Sequence, residues 1–187
     1  MNGGDPLDVL HHRRSRPALV APAPGPAQLH DLLVAASAVP DHGRLRPWRF
    51  VVIDDAGLGA LGDAFAAAHA ERTPAATAAD LARARVKPLR APMIVAVVCT
   101  PRPHPTVPVW EQRAAAVCAA YALTLAADLR GFGAMWRTGW YGGAPKVRAH
   151  LGLLDTEDVT GWVYLGTPAG PVPAPRPLAE PVVTRLR

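Results

Sequence analysis

Alternating strand-like and helix-like segments along the 187 residues predict a single mixed sandwich, α+β or α/β, in which helices cover a central sheet. Three observations carry this expectation. Residues 48–53 (WRFVVI) and 93–99 (MIVAVVC) are short, apolar, β-branched runs of strand length. Between and after them lie Ala- and Leu-rich stretches with helical spacing, the longest over 110–130. Half of the residues are hydrophobic and 19% charged, enough apolar material for one core and too little charge for a disordered chain. One domain over 1–187 is expected.

In order along the chain, residues 7–14 read as a short helix, with Asp5 as cap and Pro6 in its first turn. Residues 20–26 form a proline-rich connector. Pro26 opens a second helix, carried by Leu29, Leu32, Leu33 and Ala36 and expected to stop at Pro40. The polar, basic loop 41–47 leads into the strand 48–53, expected to be buried. Helices follow over 58–71 and 77–86 on either side of Thr73-Pro74, and the second buried strand covers 93–99. After the proline-rich stretch 101–108 comes the helix 110–130, whose Ala115, Val117, Cys118, Tyr121 and Leu125 make it apolar on nearly every face. Such a helix either fills the centre of a small domain or packs against a second copy. Gly131 ends it; residues 132–137 form a third strand, 145–151 a short helix and 159–165 (VTGWVYL) a fourth strand. The proline-rich stretch from 167 onward is expected to run extended.

The composition also limits function. Two cysteines make no disulfide framework and show no paired metal-ligand spacing, which favours a reducing cytoplasm. The first sixteen residues carry no apolar signal core, and no apolar run reaches the length of a membrane span. The net charge of +5 comes almost wholly from arginine, since Lys87 and Lys146 are the two lysines. These arginines are scattered, apart from residues 13–16 and 44–49, and no zinc-finger, RNA-recognition or helix-turn-helix pattern accompanies them, so nucleic acid is not expected as a partner. There is no nucleophile elbow, no P-loop and no His-Glu zinc motif. Cys99 and Cys118 lie within apolar segments and read as packed thiols.

Three places could hold a ligand. Arg13, Arg14 and Ser15 put two guanidinium forks and a hydroxyl at a helix end, a receptor suited to a phosphate or a polyol chain, although arginines there also complement the helix dipole. His42 sits in the loop Pro40-Asp41-His42 at a strand entrance, where it can reach a ligand or serve only the turn. Trp136, Arg137 and Thr138 close a strand with an aromatic plane, a cation and a hydroxyl, and strand ends are where open sheets bind ligands.

The order of these motifs resembles the nitroreductase family of flavoproteins. It runs Arg13-Arg14-Ser15, Pro40-Asp41-His42, Pro47-Trp48-x-Phe50-Val51-Val52-Ile53, Trp110-Glu111-Gln112, Gly131-Phe132-Gly133-x-x-Trp136-Arg137-Thr138-Gly139 and Tyr164-Leu165-Gly166-Thr167-Pro168. The resemblance implies an α+β fold with a central, mostly antiparallel sheet wrapped by helices, and a homodimer whose C-terminal tails embrace the partner. It implies FMN as cofactor and NAD(P)H as donor, with ping-pong hydride transfer to a nitro compound, quinone or similar small acceptor. By the same resemblance Arg13, Arg14 and Ser15 contact the FMN phosphate, ribityl chain and pyrimidine edge. His42 reaches the flavin of the partner, the strand end 136–138 passes the isoalloxazine, and Arg176 returns to the phosphate. No side chain is expected as a general base. The chain departs from the family pattern at Ala38, where close relatives often carry a basic residue, and at Arg46, where larger members usually carry Gln. A flavin-storing protein with little turnover is the alternative that these residues leave open.

Overall fold

The fold, a computed structural model, describes residues 5–171, 177 and 180–186. Among these residues six α-helices and five strands follow in the order α1 (Asp8–His12), β1 (Leu19–Val20), α2 (Pro26–Ala36), β2 (Trp48–Asp54), α3 (Asp55–Arg72), α4 (Ala78–Arg85), β3 (Met93–Cys99), α5 (Val109–Leu129), β4 (Gly133–Arg137), α6 (Pro145–His150) and β5 (Asp158–Pro168). All strand pairs are antiparallel. The sheet runs β1-β5-β3-β2, and β4 pairs with β5. The expected α+β sandwich is therefore the fold.

Strand β3 is buried at every residue because it lies between β2 and β5 and is covered on both faces, as its uninterrupted apolar run requires. Alternation sorts the side chains of the sheet. Ile53, Ile94, Ala96, Trp162 and Tyr164 face α3 and α6, whereas Met93, Val95, Val97, Val163 and Leu165 face α5 and α2. Helix α4 packs on α3. It starts with a reciprocal cap, in which Thr77 Oγ1 accepts from Asp80 N (3.2 Å) and an Asp80 carboxylate oxygen accepts from Thr77 N (2.9 Å).

Several expectations are corrected. The strand at 48–54 is an edge strand with mostly half-buried residues, because neighbours in the sheet are chosen by distant segments that a local apolar run does not report. Leu19–Val20, at the start of the expected connector 20–26, add a two-residue strand beside Thr167 and Pro168. Helix α1 is shorter than 7–14, since Arg13 already has extended backbone (φ −54°, ψ 130°). Helix α2 ends four residues before Pro40, where the Ser37 hydroxyl donates to Leu33 O (2.8 Å). Helix α5 is two-sided. Gln112, Ala115, Ala116, Ala119, Ala120, Leu123 and Ala127 face the sheet, while Trp110, Val117, Cys118 and Tyr121 are exposed, so Cys118 is no packed thiol in the single chain.

Candidate functional site

Strand β4 divides the strongest sequence motif between the two faces of the sheet. Trp136 packs among the α5-facing residues, and its indole lies on β5 so closely that a Cβ at Gly161 would overlap Nε1. Glycine at 161 is thus a packing requirement of Trp136. One residue later Arg137 points to the opposite face, with its guanidinium 5.5 Å from the centre of the Tyr164 ring.

Arg137 and Thr138 line a cavity of about 140 Å³ with Phe65, Lys87, Arg90, Tyr141, Trp162 and Tyr164. The walls come from α3, the 3-10 turn Pro88–Arg90, β4, the turn Trp140–Gly143 and β5, so the pocket exists only in the assembled sandwich. Its aromatic wall is layered. Tyr141 stacks on Phe65 (4.2 Å between centroids) and on Trp140 (4.0 Å), and Trp162 meets Phe65 edge-on at 5.5 Å. The rim is cationic. Lys87 Nζ lies 5.2 Å from the Tyr141 ring, and among the described residues neither Lys87, Arg90 nor Arg137 has a carboxylate within 4.0 Å. Arg137 Nε is buried without any hydrogen-bond partner, as is Trp136 Nε1. A buried donor left unpaired costs about 1–3 kcal/mol, so Arg137 is a donor waiting for an acceptor. Burial pushes the Tyr164 phenol up, and the nearby Arg137 and Arg90 charges pull it part of the way back. The phenol therefore keeps its proton and can donate.

The segment 13–15 approaches the same strand. Arg16 N donates to Ala134 O (2.9 Å), which lays the residues just before it along the free edge of β4. Arg14 turns its guanidinium onto the end of α1, donating to His11 O (2.5 Å) and Arg13 O (2.9 Å). Arg13 and Arg14 are half-buried and Ser15 is exposed.

His42 lies elsewhere. Its Nδ1 is 2.7 Å from a Glu111 carboxylate oxygen, at the start of α5 and beside the entrance to β2. β2 and β4 are separated by β3 and β5, three strand spacings or roughly 14 Å, so His42 and Arg137 of one chain do not share a pocket. The loop carrying His42 is tightly built. Gly43, Arg44 and Arg46 all have positive φ (74°, 53° and 47°), an unfavourable state for the two arginines. Asp41 holds the loop by accepting from Arg46 N (2.6 Å), and Arg102 donates to Leu45 O (2.8 Å). Behind it the buried Gln112 fastens the stretch before α5, accepting from Arg102 N (3.0 Å) and donating to Arg102 O (2.8 Å) and Val107 O (3.1 Å). Arg46 lines a shallow cavity with His30, Val34, Trp48 and Phe50. Arg176 lies outside the described residues.

The structure thus brings Arg137 and Thr138 together in a pocket, runs 13–15 beside their strand, and sets Trp136 and His42 apart from that pocket. Lys87, Arg90, Tyr141 and Tyr164 were not singled out in the sequence as pocket residues; Lys-Pro-Leu-Arg ahead of a buried strand was the signal available for two of them. Among the described residues no group of three or more His, Cys, Asp or Glu could hold a metal ion, and no helix is long and apolar enough to cross a membrane.

The chain is similar to known proteins in both sequence and fold. The chain is 39% identical over 166 residues to "Putative NAD(P)H nitroreductase YdjA" of Escherichia coli K12, covering 88% of each chain. It is 36% identical over 164 residues to a "Putative NAD(P)H nitroreductase" of Haemophilus influenzae, covering 87% of this chain and 88% of that one. Among solved structures, a nitroreductase-like family protein from Bacillus cereus superposes with a TM-score of 0.80 at 23% identity, over 97% of this chain and 94% of that one. A nitroreductase with bound FMN from Bacteroides fragilis gives 0.76 at 22% identity, over 98% and 100%. The family model described as "Nitroreductase family" matches residues 10–167, which contain β4, its cavity and the His42 loop, and the chain belongs to that family.

Proposed function

We propose that this protein is an FMN-dependent oxidoreductase, one domain over 1–187, acting as a homodimer. It passes a hydride from NAD(P)H to a nitro compound, a quinone or a similar small acceptor, with NAD(P)+ leaving before the acceptor enters. The observation that carries this reading is the end of β4, where Arg137, with its unpaired buried Nε, and Thr138 meet a cavity walled by aromatic rings and rimmed by Lys87 and Arg90. Those groups fit the carbonyl-rich edge of an isoalloxazine. Cations and N–H donors match its oxygens, and flat aromatic walls match its ring system. FMN, when bound, supplies the hydride-accepting centre between the two half-reactions, so the protein needs no general base of its own.

The remaining residues take supporting roles in this reading. Arg13, Arg14 and Ser15, beside the edge of β4, would hold the phosphate and ribityl chain through charge-assisted hydrogen bonds. Trp136 holds the strand in place from the other face, and its backbone would be offered to the flavin. His42, too far from Arg137 of its own chain, would serve the site of a second copy, and Arg176 would return to the phosphate from the tail. The outer side of α5 supports the dimer. Trp110 (68% exposed), Val117 and Tyr121 form an apolar stripe at helical spacing, continued by exposed Val34 of α2. Relatives named NAD(P)H nitroreductases support the donor and the reaction class.

Stopped-flow reduction of the FMN-loaded protein with NADH and with NADPH tests the function. Reduction well above the rate for free FMN, followed by reoxidation with a quinone, is expected. Rates no faster than those of free FMN would make the protein a flavin store.

A further inference from the structure

The loop that carries His42 is closed without the histidine. Asp41 accepts from Arg46 N with its carboxylate (2.6 Å) and from Arg44 N with its backbone oxygen (3.2 Å), and Arg102 holds Leu45 O from outside the loop. The imidazole is therefore not spent on the turn. Its Nδ1 goes to Glu111 at 2.7 Å, while 59% of the His42 side chain stays exposed.

Glu111 is free to make this contact for a reason of its own. It is the third residue of α5, where a glutamate usually reaches back to the backbone N–H of the cap residue. The cap here is Pro108, which has no N–H to offer, so the carboxylate turns across to the loop instead. Other bonds already hold the loop against the helix start. Arg102, which donates to Leu45 O, is itself held on both backbone sides by the buried Gln112 of α5. An exposed ion pair added to such a frame contributes little stability. What it does fix is the ring. A carboxylate only accepts, so Nδ1 carries a proton in the neutral and the charged imidazole alike, and Nε2 is left as the nitrogen available to another molecule.

We propose that Glu111 is a positioning residue. It holds the His42 ring in the Nδ1–H form, so that Nε2 is presented as a hydrogen-bond acceptor to an O–H or N–H group of the FMN bound by the second copy. The inference rests on the flavin reading above, in which His42 serves that site. Glu111 itself touches no cofactor; it acts through the ring, as a carboxylate behind a ligating histidine does.

The test is FMN titration without any donor, so that turnover does not enter. Wild type is compared with Glu111→Gln, Glu111→Ala, His42→Ala and the double variant Glu111→Ala/His42→Ala. Glu111→Ala is expected to weaken FMN about three- to tenfold. Glu111→Gln, whose amide oxygen still accepts from Nδ1, should stay within about twofold of wild type, and Glu111→Ala should cost nothing further once His42 is alanine. Heteronuclear NMR of nitrogen-labelled histidine in the FMN-loaded protein, well above neutral pH, reads the ring directly. The His42 signal, assigned by its loss in His42→Ala, should show Nδ1–H in wild type and Glu111→Gln and lose that preference in Glu111→Ala. A carboxylate that only steadies the start of α5 would cost the same in both backgrounds and leave the tautomer unchanged, and that result overturns the assignment. So does a His42→Ala variant that binds FMN as wild type does. Wild-type protein that binds no FMN overturns the functional reading together with this inference, whereas FMN-binding protein without coupling between positions 42 and 111 overturns this inference alone.

Discussion

The face of the sheet toward α3 and α6 is filled by Phe65, Tyr141, Trp162 and Tyr164, with Trp140 stacked outside them. The face toward α5 and α2 is filled by Ala36, Ala119, Ala120 and Ala127 with Leu32, Leu123 and Val95 and Val97 of β3. Alanines bring α5 close to the strands, and the cavity on that side is the shallow one under α2 lined by His30, Val34, Arg46, Trp48 and Phe50. Broad, rigid rings cannot fill their side so completely, and gaps open where the rings meet polar side chains. The Arg137 cavity that carries the proposed chemistry lies on the aromatic side, while the aliphatic side presents the exposed apolar stripe of α5. In the proposed reading, the aromatic face of this sheet holds small molecules and the aliphatic face, through α5, meets a second copy of the chain.

Cutting a large side chain from each face should break this comparison most severely. Phe65→Ala removes the ring that supports both Tyr141 and Trp162 and should lower the unfolding free energy by about 3–5 kcal/mol. Leu123→Ala, fully buried under α5, should cost about 2–5 kcal/mol. Urea denaturation measures both. The sharper expectation is that Phe65→Ala also weakens FMN binding per folded chain, whereas Leu123→Ala leaves it near the wild-type value.

A smaller effect is expected at Glu157, outside both cavities. Its buried carboxylate accepts from Arg49 Nε (2.9 Å), Arg49 Nη2 (2.8 Å) and Leu154 N (3.0 Å), tying the edge strand β2 to the start of β5. The Arg49 hydrogen bonds hold this carboxyl below its ordinary range, with burial opposing them. A carboxyl depressed in the folded state contributes stability above its unfolded pKa, and that contribution disappears as pH falls through the folded value. Glu157→Gln should cost about 2 kcal/mol near neutral pH. The gap to wild type should close as the pH is lowered below about 4, where the unfolded carboxylate begins to take up its proton. A gap unchanged at low pH would contradict the Arg49 pairing.

The smallest effect on the folded chain is expected on the outer side of α5. Val117→Ser sits at 41% exposure and should change the stability of a single chain by less than about 0.5 kcal/mol. If the stripe is the dimer surface, the same substitution together with Tyr121→Ser shifts sedimentation toward the monomer. An unchanged sedimentation coefficient would move the interface elsewhere.

These contrasts also explain what could be read from sequence. The central strand 93–99 was legible to the residue and α5 to within one residue at each end, because a uniformly apolar β-branched run and a long Ala-rich stretch bracketed by Pro108 and Gly131 are local signals. The two faces of α5 were not legible, since nearly all its residues are apolar and only the sheet decides which stripe is covered. β2 reads like β3, yet its edge position depends on β5 choosing β3 as neighbour. Arg137 and Thr138 were visible as a strand end with a cation and a hydroxyl. Lys87, Arg90 and Tyr141 join them only through long-range packing, and no spacing in the chain brings residues 65, 87, 137 and 164 together. The left-handed backbone of Arg44 and Arg46 was equally hidden, because arginine carries no signal for positive φ.

Titration of FMN into apoprotein, for wild type and Arg137→Ala, tests the central claim most directly, with binding followed by the change in flavin fluorescence. The account predicts saturation at about one FMN per chain, and an affinity about ten- to a hundredfold weaker in the variant, as expected for losing a charge-assisted contact of roughly 1.5–3 kcal/mol. Equal affinities for the two proteins, or no saturable FMN binding in the wild type, would contradict it.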